Sequence, residues 1–131
     1  MKKKILVVDD EWSIRELLTF RLAKRGYQVV TAQTIDEFRK KSVSEKPDLI
    51  VLDIWLNDSI SPEMYDDLLA EGFDSSIPVI FVTAFMDEGT PPRFSPHGGH
   101  VALFGKPFNF DELNREIEKL LAEKAEKKDA A

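Results

Sequence analysis

The sequence predicts a doubly wound α/β fold, a five-stranded parallel sheet joined by crossover helices, and three observations carry that expectation. Short apolar runs alternate with longer amphipathic stretches along 131 residues, the pattern that a parallel sheet joined by crossover helices produces. The five apolar runs are mostly continuous, as strands covered on both faces require. The length and the 43% apolar content suit one domain around one core.

Ile5-Leu6-Val7-Val8 is the first strand. In the helix that follows, Ile14, Leu17, Leu18 and Leu22 recur at helical spacing, and Gly26 suits the left-handed residue just past its end. Val29-Val30-Thr31 is the second strand, and Thr34 with Glu37 reads as a capping box opening a more polar second helix. The third strand is Leu49-Ile50-Val51-Leu52. Pro62 suits the first position of a third helix, with Tyr65, Leu68 and Leu69 inward and Gly72 as its stop. Val79-Ile80-Phe81-Val82 and Val101-Ala102-Leu103-Phe104 complete the strands. Asn109 and Glu112 can cap the last helix, whose inward stripe is Phe110, Leu113, Ile117, Leu120 and Leu121. The domain is therefore expected over residues 1–122, with 123–131 a solvated tail or the start of a linker.

The alternation also calls for a helix between Met86 and Gly99. Gly89, Pro91, Pro92, Pro96, Gly98 and Gly99 fall there, and each interior proline costs a helix about 3 kcal/mol. The fourth helix is accordingly expected to be short or replaced by a loop.

Composition narrows the function. The absence of cysteine excludes disulfides, thiolate metal sites and a cysteine nucleophile. With 18 basic and 24 acidic residues the net charge is −6, a field that repels nucleic acid and anionic lipid. Lys2 to Lys4 precede only four strongly apolar residues before Asp9, too few for a signal peptide or a membrane span. A cytoplasmic protein with no nucleic-acid or membrane partner is expected.

In an open parallel sheet, ligands gather beyond the carboxyl ends of the strands. There the first strand delivers Asp9-Asp10-Glu11, the third Asp53, the fourth Thr83 and the fifth Lys106. Right-handed crossovers place strands one, three, four and five side by side, so these residues share one crevice. Clustered carboxylates need raised pKa values or a bound cation. Oxygen donors alone point to a hard ion, Mg²⁺ more readily than zinc. A carboxylate nucleophile, a metal, a hydroxyl and a lysine are the parts of phosphoryl transfer.

The residues Ile-Leu-Val-Val-Asp-Asp-Glu near the start, Asp53 after an apolar strand, Val82-Thr83-Ala84 and Gly-Lys-Pro-Phe at 105–108 resemble the receiver domain of bacterial two-component response regulators. That resemblance covers roughly residues 3–122 and implies a flavodoxin-like sheet of order 2-1-3-4-5. It implies that Asp53 accepts a phosphoryl group from a histidine kinase or a histidine phosphotransfer protein. Mg²⁺ would be held by Asp10 and Asp53 directly, by Asp9 through water, and by the backbone carbonyl of Trp55. Thr83 would hydrogen-bond the phosphoryl group and move on activation, Lys106 would pair with it, and Lys106-Pro107 would be a cis peptide. Such a chain catalyses only its own phosphorylation and dephosphorylation, and acts on a downstream protein as a monomer or a phosphorylation-dependent dimer.

The sequence departs from the family pattern in places. Leu103 stands where an aromatic switch residue is usual, with Phe104 beside it. Asn57 and Ser61 replace the proline and glycine common after the nucleophile, so that loop is expected to be reshaped. The stretch from Pro78 through Phe85, with the later Pro-Pro-Arg-Phe, is similar to a stand-alone receiver subgroup with a degraded fourth helix. Trp55 and Phe85 stand two residues after Asp53 and Thr83, positions from which side chains can overhang the acyl phosphate and slow its hydrolysis. His97 and His100 lack companion ligands and read as loop residues. Trp12 reads as a partly exposed packing residue.

Other readings fit less well. A flavin carrier would need a Ser/Thr/Gly-rich phosphate loop where Asp-Asp-Glu stands, and an aspartyl phosphatase of the haloacid dehalogenase type would need a second aspartate where Trp55 stands. The alternative within the family is a phosphorylation-independent receiver used as a protein-binding module. Its usual mark, loss of the nucleophile or of the acidic pair, is absent from this sequence.

Overall fold

A computed structural model describes residues 2–53, 55–56, 59–60, 66–67, 69–74, 76–83, 101–105 and 109–130, with the backbone alone at 55, 59–60, 83, 101–105 and 125–130. In chain order it contains β1 (Lys4–Val8), α1 (Trp12–Lys24), β2 (Gln28–Ala32), α2 (Ile35–Ser44), β3 (Leu49–Asp53), β4 (Trp55–Leu56), β5 (Ser59–Ile60), β6 (Val79–Thr83), β7 (Val101–Gly105) and α3 (Phe110–Ala130). Residues 66–67 and 69–70 are also helical. The main sheet is parallel, with order β2-β1-β3-β6-β7. Since β4 and β5 pair with each other outside it, this is the 2-1-3-4-5 order expected.

Side-chain alternation along the central strands divides the core between two faces. Leu6, Val8, Ile50, Leu52, Val79 and Phe81 pack on Phe38 of α2, with Leu69 and Phe73 at the margin. Ile5, Val7, Leu49, Val51, Ile80 and Val82 pack on Leu18 and Leu22 of α1 and on Leu113, Ile117 and Leu120 of α3. Every residue of β3 is buried, which is why its sequence shows no polar alternation.

Local signals set the helix ends. Gly26 (φ 93°) and Gly72 (φ 99°) both take the left-handed conformation expected of them. The Thr34 Oγ1 accepts a hydrogen bond from the Glu37 amide at 3.1 Å. The Glu37 carboxylate accepts from Gln33 N at 2.7 Å, one residue earlier than a standard capping box. The Asn109 Oδ1 accepts from the Glu112 amide at 3.2 Å, as expected.

Leu17 and Trp12 depart from expectation. Leu17 is 45% exposed; one residue is about 100° of helical turn, and the buried pair Leu18 and Leu22 leaves Leu17 on the outer side. Trp12 is 68% exposed and so does little packing. The last helix runs to Ala130, and among its described side chains Leu121 is the last packed against the core. The segment after Asp53 contains an antiparallel hairpin, Trp55 opposite Ile60 and Leu56 opposite Ser59. The expected Met86–Gly99 loop and the start of the third helix at Pro62 lie outside the described residues.

Replacing Thr34 by Ala removes the α2 cap and is expected to cost about 1 kcal/mol, read from urea denaturation. Phe38→Ala leaves a cavity under α2 and is expected to cost about 3–5 kcal/mol in the same assay.

Candidate functional site

The acidic crevice is built by two adjacent strands. β1 and β3 are neighbours, with Val8 in register with Leu52, so their carboxyl ends lie side by side. The alternation that sends Ile5 and Val7 to the α1/α3 face, with Leu49 and Val51, sends Asp9 and Asp53 to that side too. Asp9 extends the ladder one residue past β1, its amide donating to the Ala32 carbonyl at 3.1 Å. Its Oδ1 accepts from the Glu11 amide at 2.9 Å, an Asx turn that leads the chain into α1. Asp9 is 1% and Asp53 5% exposed, whereas Asp10 is exposed on the turn.

One carboxylate oxygen from each of Asp9, Asp10 and Asp53 lies within 4.8 Å of the others. Between an effective dielectric constant near 20 and that of water, such a pair repels by about 1–3 kcal/mol, and the pairs made by the exposed Asp10 lie at the weak end of that range. A divalent cation among the three reverses that term. The set is all oxygen and mixes two buried carboxylates with one reachable from solvent, which suits Mg²⁺ that retains water and open positions. α1 begins two residues after Asp10 and has no acidic residue in its first turn, so the helix end nearest the cluster carries positive partial charge.

Of the residues expected at the site, Asp9, Asp10 and Asp53 are brought together. Thr83 ends β6, in register with Gly105 at the end of β7, and is placed by its backbone. Trp55 begins β4, also as backbone. Lys106, Pro107, Phe85, His97 and His100 lie outside the described residues.

Arg15 was not among the expected site residues. Its Nη1 donates to the Asp9 backbone carbonyl at 2.8 Å. An arginine one turn into the helix after an acidic pair was the only signal for it. The hairpin had a clearer one, since Asn57-Asp58 between Trp55-Leu56 and Ser59-Ile60 suits a two-residue hairpin loop.

The family model for the response regulator receiver domain matches residues 5–118. The chain is 39% identical over 121 residues to the alkaline phosphatase synthesis transcriptional regulatory protein PhoP of Bacillus subtilis, covering 92% of this chain and 49% of that protein. It is 34% identical over 125 residues to sporulation initiation phosphotransferase F of Bacillus subtilis, covering 92% and 95%. The chain thus spans about half the length of PhoP and nearly all of the phosphotransferase. The solved response regulator TrrA of Thermotoga maritima, in complex with Mg²⁺-BeF, superposes with a TM-score of 0.75 at 35% identity, covering 90% of this chain and 98% of that one.

Asp10→Asn removes one repelling charge and one oxygen anion from the crevice. In EDTA the variant is expected to be more stable than the parent by about 1 kcal/mol. It is also expected to lose most of the rise in thermal midpoint that Mg²⁺ gives the parent. Circular dichroism melts with and without Mg²⁺ check both.

Proposed function

The chain belongs to the response regulator receiver domain family of two-component systems, and from that premise we propose that it accepts a phosphoryl group on Asp53 in a Mg²⁺-dependent reaction. Receiver domains interact with histidine kinases or phosphotransfer proteins, and the donor here is proposed to be a phosphohistidine on one of these. The observation that carries the reading is Asp53 at the end of β3, an oxygen within 4.8 Å of oxygens from both Asp9 and Asp10.

In the proposed reaction an Asp53 carboxylate oxygen attacks phosphorus, an O–P bond forms, and the P–N bond to the donor imidazole breaks. The imidazole leaves and takes up a proton. Mg²⁺, when bound, offsets negative charge on the carboxylates and on the transferring oxygens. Asp10 and Asp53 would hold the ion directly, Asp9 through water, with the Trp55 carbonyl as a further ligand. Burial of Asp53 limits water around the acyl phosphate. The Thr83 hydroxyl and the Lys106 ammonium are proposed to donate hydrogen bonds to the phosphoryl oxygens. Hydrolysis returns Asp53 to the carboxylate, so the chain turns over only its own phosphoryl group and is a switch rather than an enzyme for another substrate.

The added charge is proposed to act through Thr83 and the segment that follows it, altering contact with a downstream protein. Among the described residues no helix is long and apolar enough to cross a membrane. The binding-module alternative requires a chain that does not take phosphate, and the assembled Asp9, Asp10 and Asp53 speak against it.

Incubation with Mg²⁺ and acetyl phosphate is expected to add one phosphoryl group, read by intact mass. Asp53→Asn and EDTA are each expected to abolish the adduct. Labelling that survives in Asp53→Asn, or none under conditions that label another receiver domain, would overturn the proposal.

A further inference from the structure

Arg15 occupies an unusual place for a cation. Its amide donates to the Glu11 carbonyl at 3.2 Å, so it lies in the first turn of α1, where a positive charge opposes the helix dipole by about 0.3–1 kcal/mol. The half-buried side chain runs back past the helix start to the chain before it. There it takes the carbonyl of the peptide that joins Asp9 to Asp10. Lys4–Glu45, Arg25–Asp111 and Arg39–Glu71 are ion-paired. Arg15 is in none of them, although three carboxylates converge beside the carbonyl it holds.

That choice of partner has a geometric effect. The peptide before Asp9 is held by the Ala32 carbonyl, and the peptide after it by Arg15. With both planes held, the angle between the Asp9 and Asp10 Cα–Cβ bonds is set by the backbone, and Arg15 contributes to it through a carbonyl rather than through a carboxylate oxygen. Groups one step outside a metal's ligands commonly change its affinity by 10- to 100-fold in this way.

We propose that Arg15 is a positioning residue: by holding the Asp9–Asp10 peptide it orients the carboxylates for Mg²⁺ and raises the affinity of the crevice for that ion. The inference rests on the Mg²⁺ reading of the site given above.

The sign of one measurement separates position from charge. On Coulombic grounds alone, deleting a neighbouring cation tightens the binding of Mg²⁺. If position dominates, deletion weakens it. Mg²⁺ titrations of the full chain, followed by amide NMR shifts well below the unfolding midpoint, are expected to give Arg15→Ala a dissociation constant about tenfold higher than the parent's. Arg15→Lys, which keeps the charge and a long donor, is expected to fall between the two. Leu22→Ala, a core variant distant from the turn, serves as the control for general loosening and is expected to bind like the parent. Unchanged or tighter binding by Arg15→Ala, or equal weakening in Leu22→Ala, would overturn the inference. A parent that binds no Mg²⁺ would instead overturn the reading on which it rests.

Discussion

Mutual repulsion among the carboxylates of Asp9, Asp10 and Asp53 is the constraint that the rest of the site answers to. Three anionic oxygens within 4.8 Å of one another repel, the more strongly where water is excluded, as around the buried Asp9 and Asp53. A domain of this size has only about 5–15 kcal/mol of net stability to spend on such arrangements. The cluster persists because its backbone is held from several sides. The ladder bond of Asp9 to Ala32, the Asx turn into Glu11, the Arg15 bond and the fully buried β3 strand leave the carboxylates little freedom to separate. A divalent cation bound there would turn the same proximity into binding energy.

The sheet order does the rest. In the order β2-β1-β3-β6-β7, the strand carrying the acidic pair touches the strand carrying Asp53, and β6 with Thr83 is next in line. Residues spread over most of the chain thereby converge, while apolar cores on both faces hold the strand ends in register. A loop-built site would lack that rigidity. The place of Asp53 at a strand end also explains how one carboxylate can be both buried and next to the solvent-reachable Asp10.

How much of this could be read beforehand varied with the kind of signal. The strands were plain, because doubly covered strands such as Leu49–Asp53 are continuous apolar runs. Caps at Thr34 and Asn109 and the left-handed Gly26 and Gly72 were equally plain, since each depends on one residue's local chemistry. Leu17 was read with the inward stripe although it is exposed, because a helix bearing leucines at 17, 18 and 22 together with Ile14 and Phe20 has apolar residues almost all round. The β4–β5 hairpin was missed in spite of Asn57-Asp58, since two-residue strands are too short for periodicity to register. The acidic residues were legible because their chemistry and spacing coincide. Arg15 was not, because its function depends on a side chain folding back onto a carbonyl, and sequence spacing carries no record of rotamer.

The account stands or falls on where the phosphoryl group goes. The most direct measurement is borohydride reduction of the acetyl phosphate-treated protein followed by peptide mass mapping, since an aspartyl phosphate is reduced at its acyl carbon and the modified position can be read residue by residue. Reduction confined to position 53 and dependent on Mg²⁺ is the result expected. Modification at Asp9, Asp10 or any position other than 53, or a phosphoryl group that borohydride leaves intact, would contradict it.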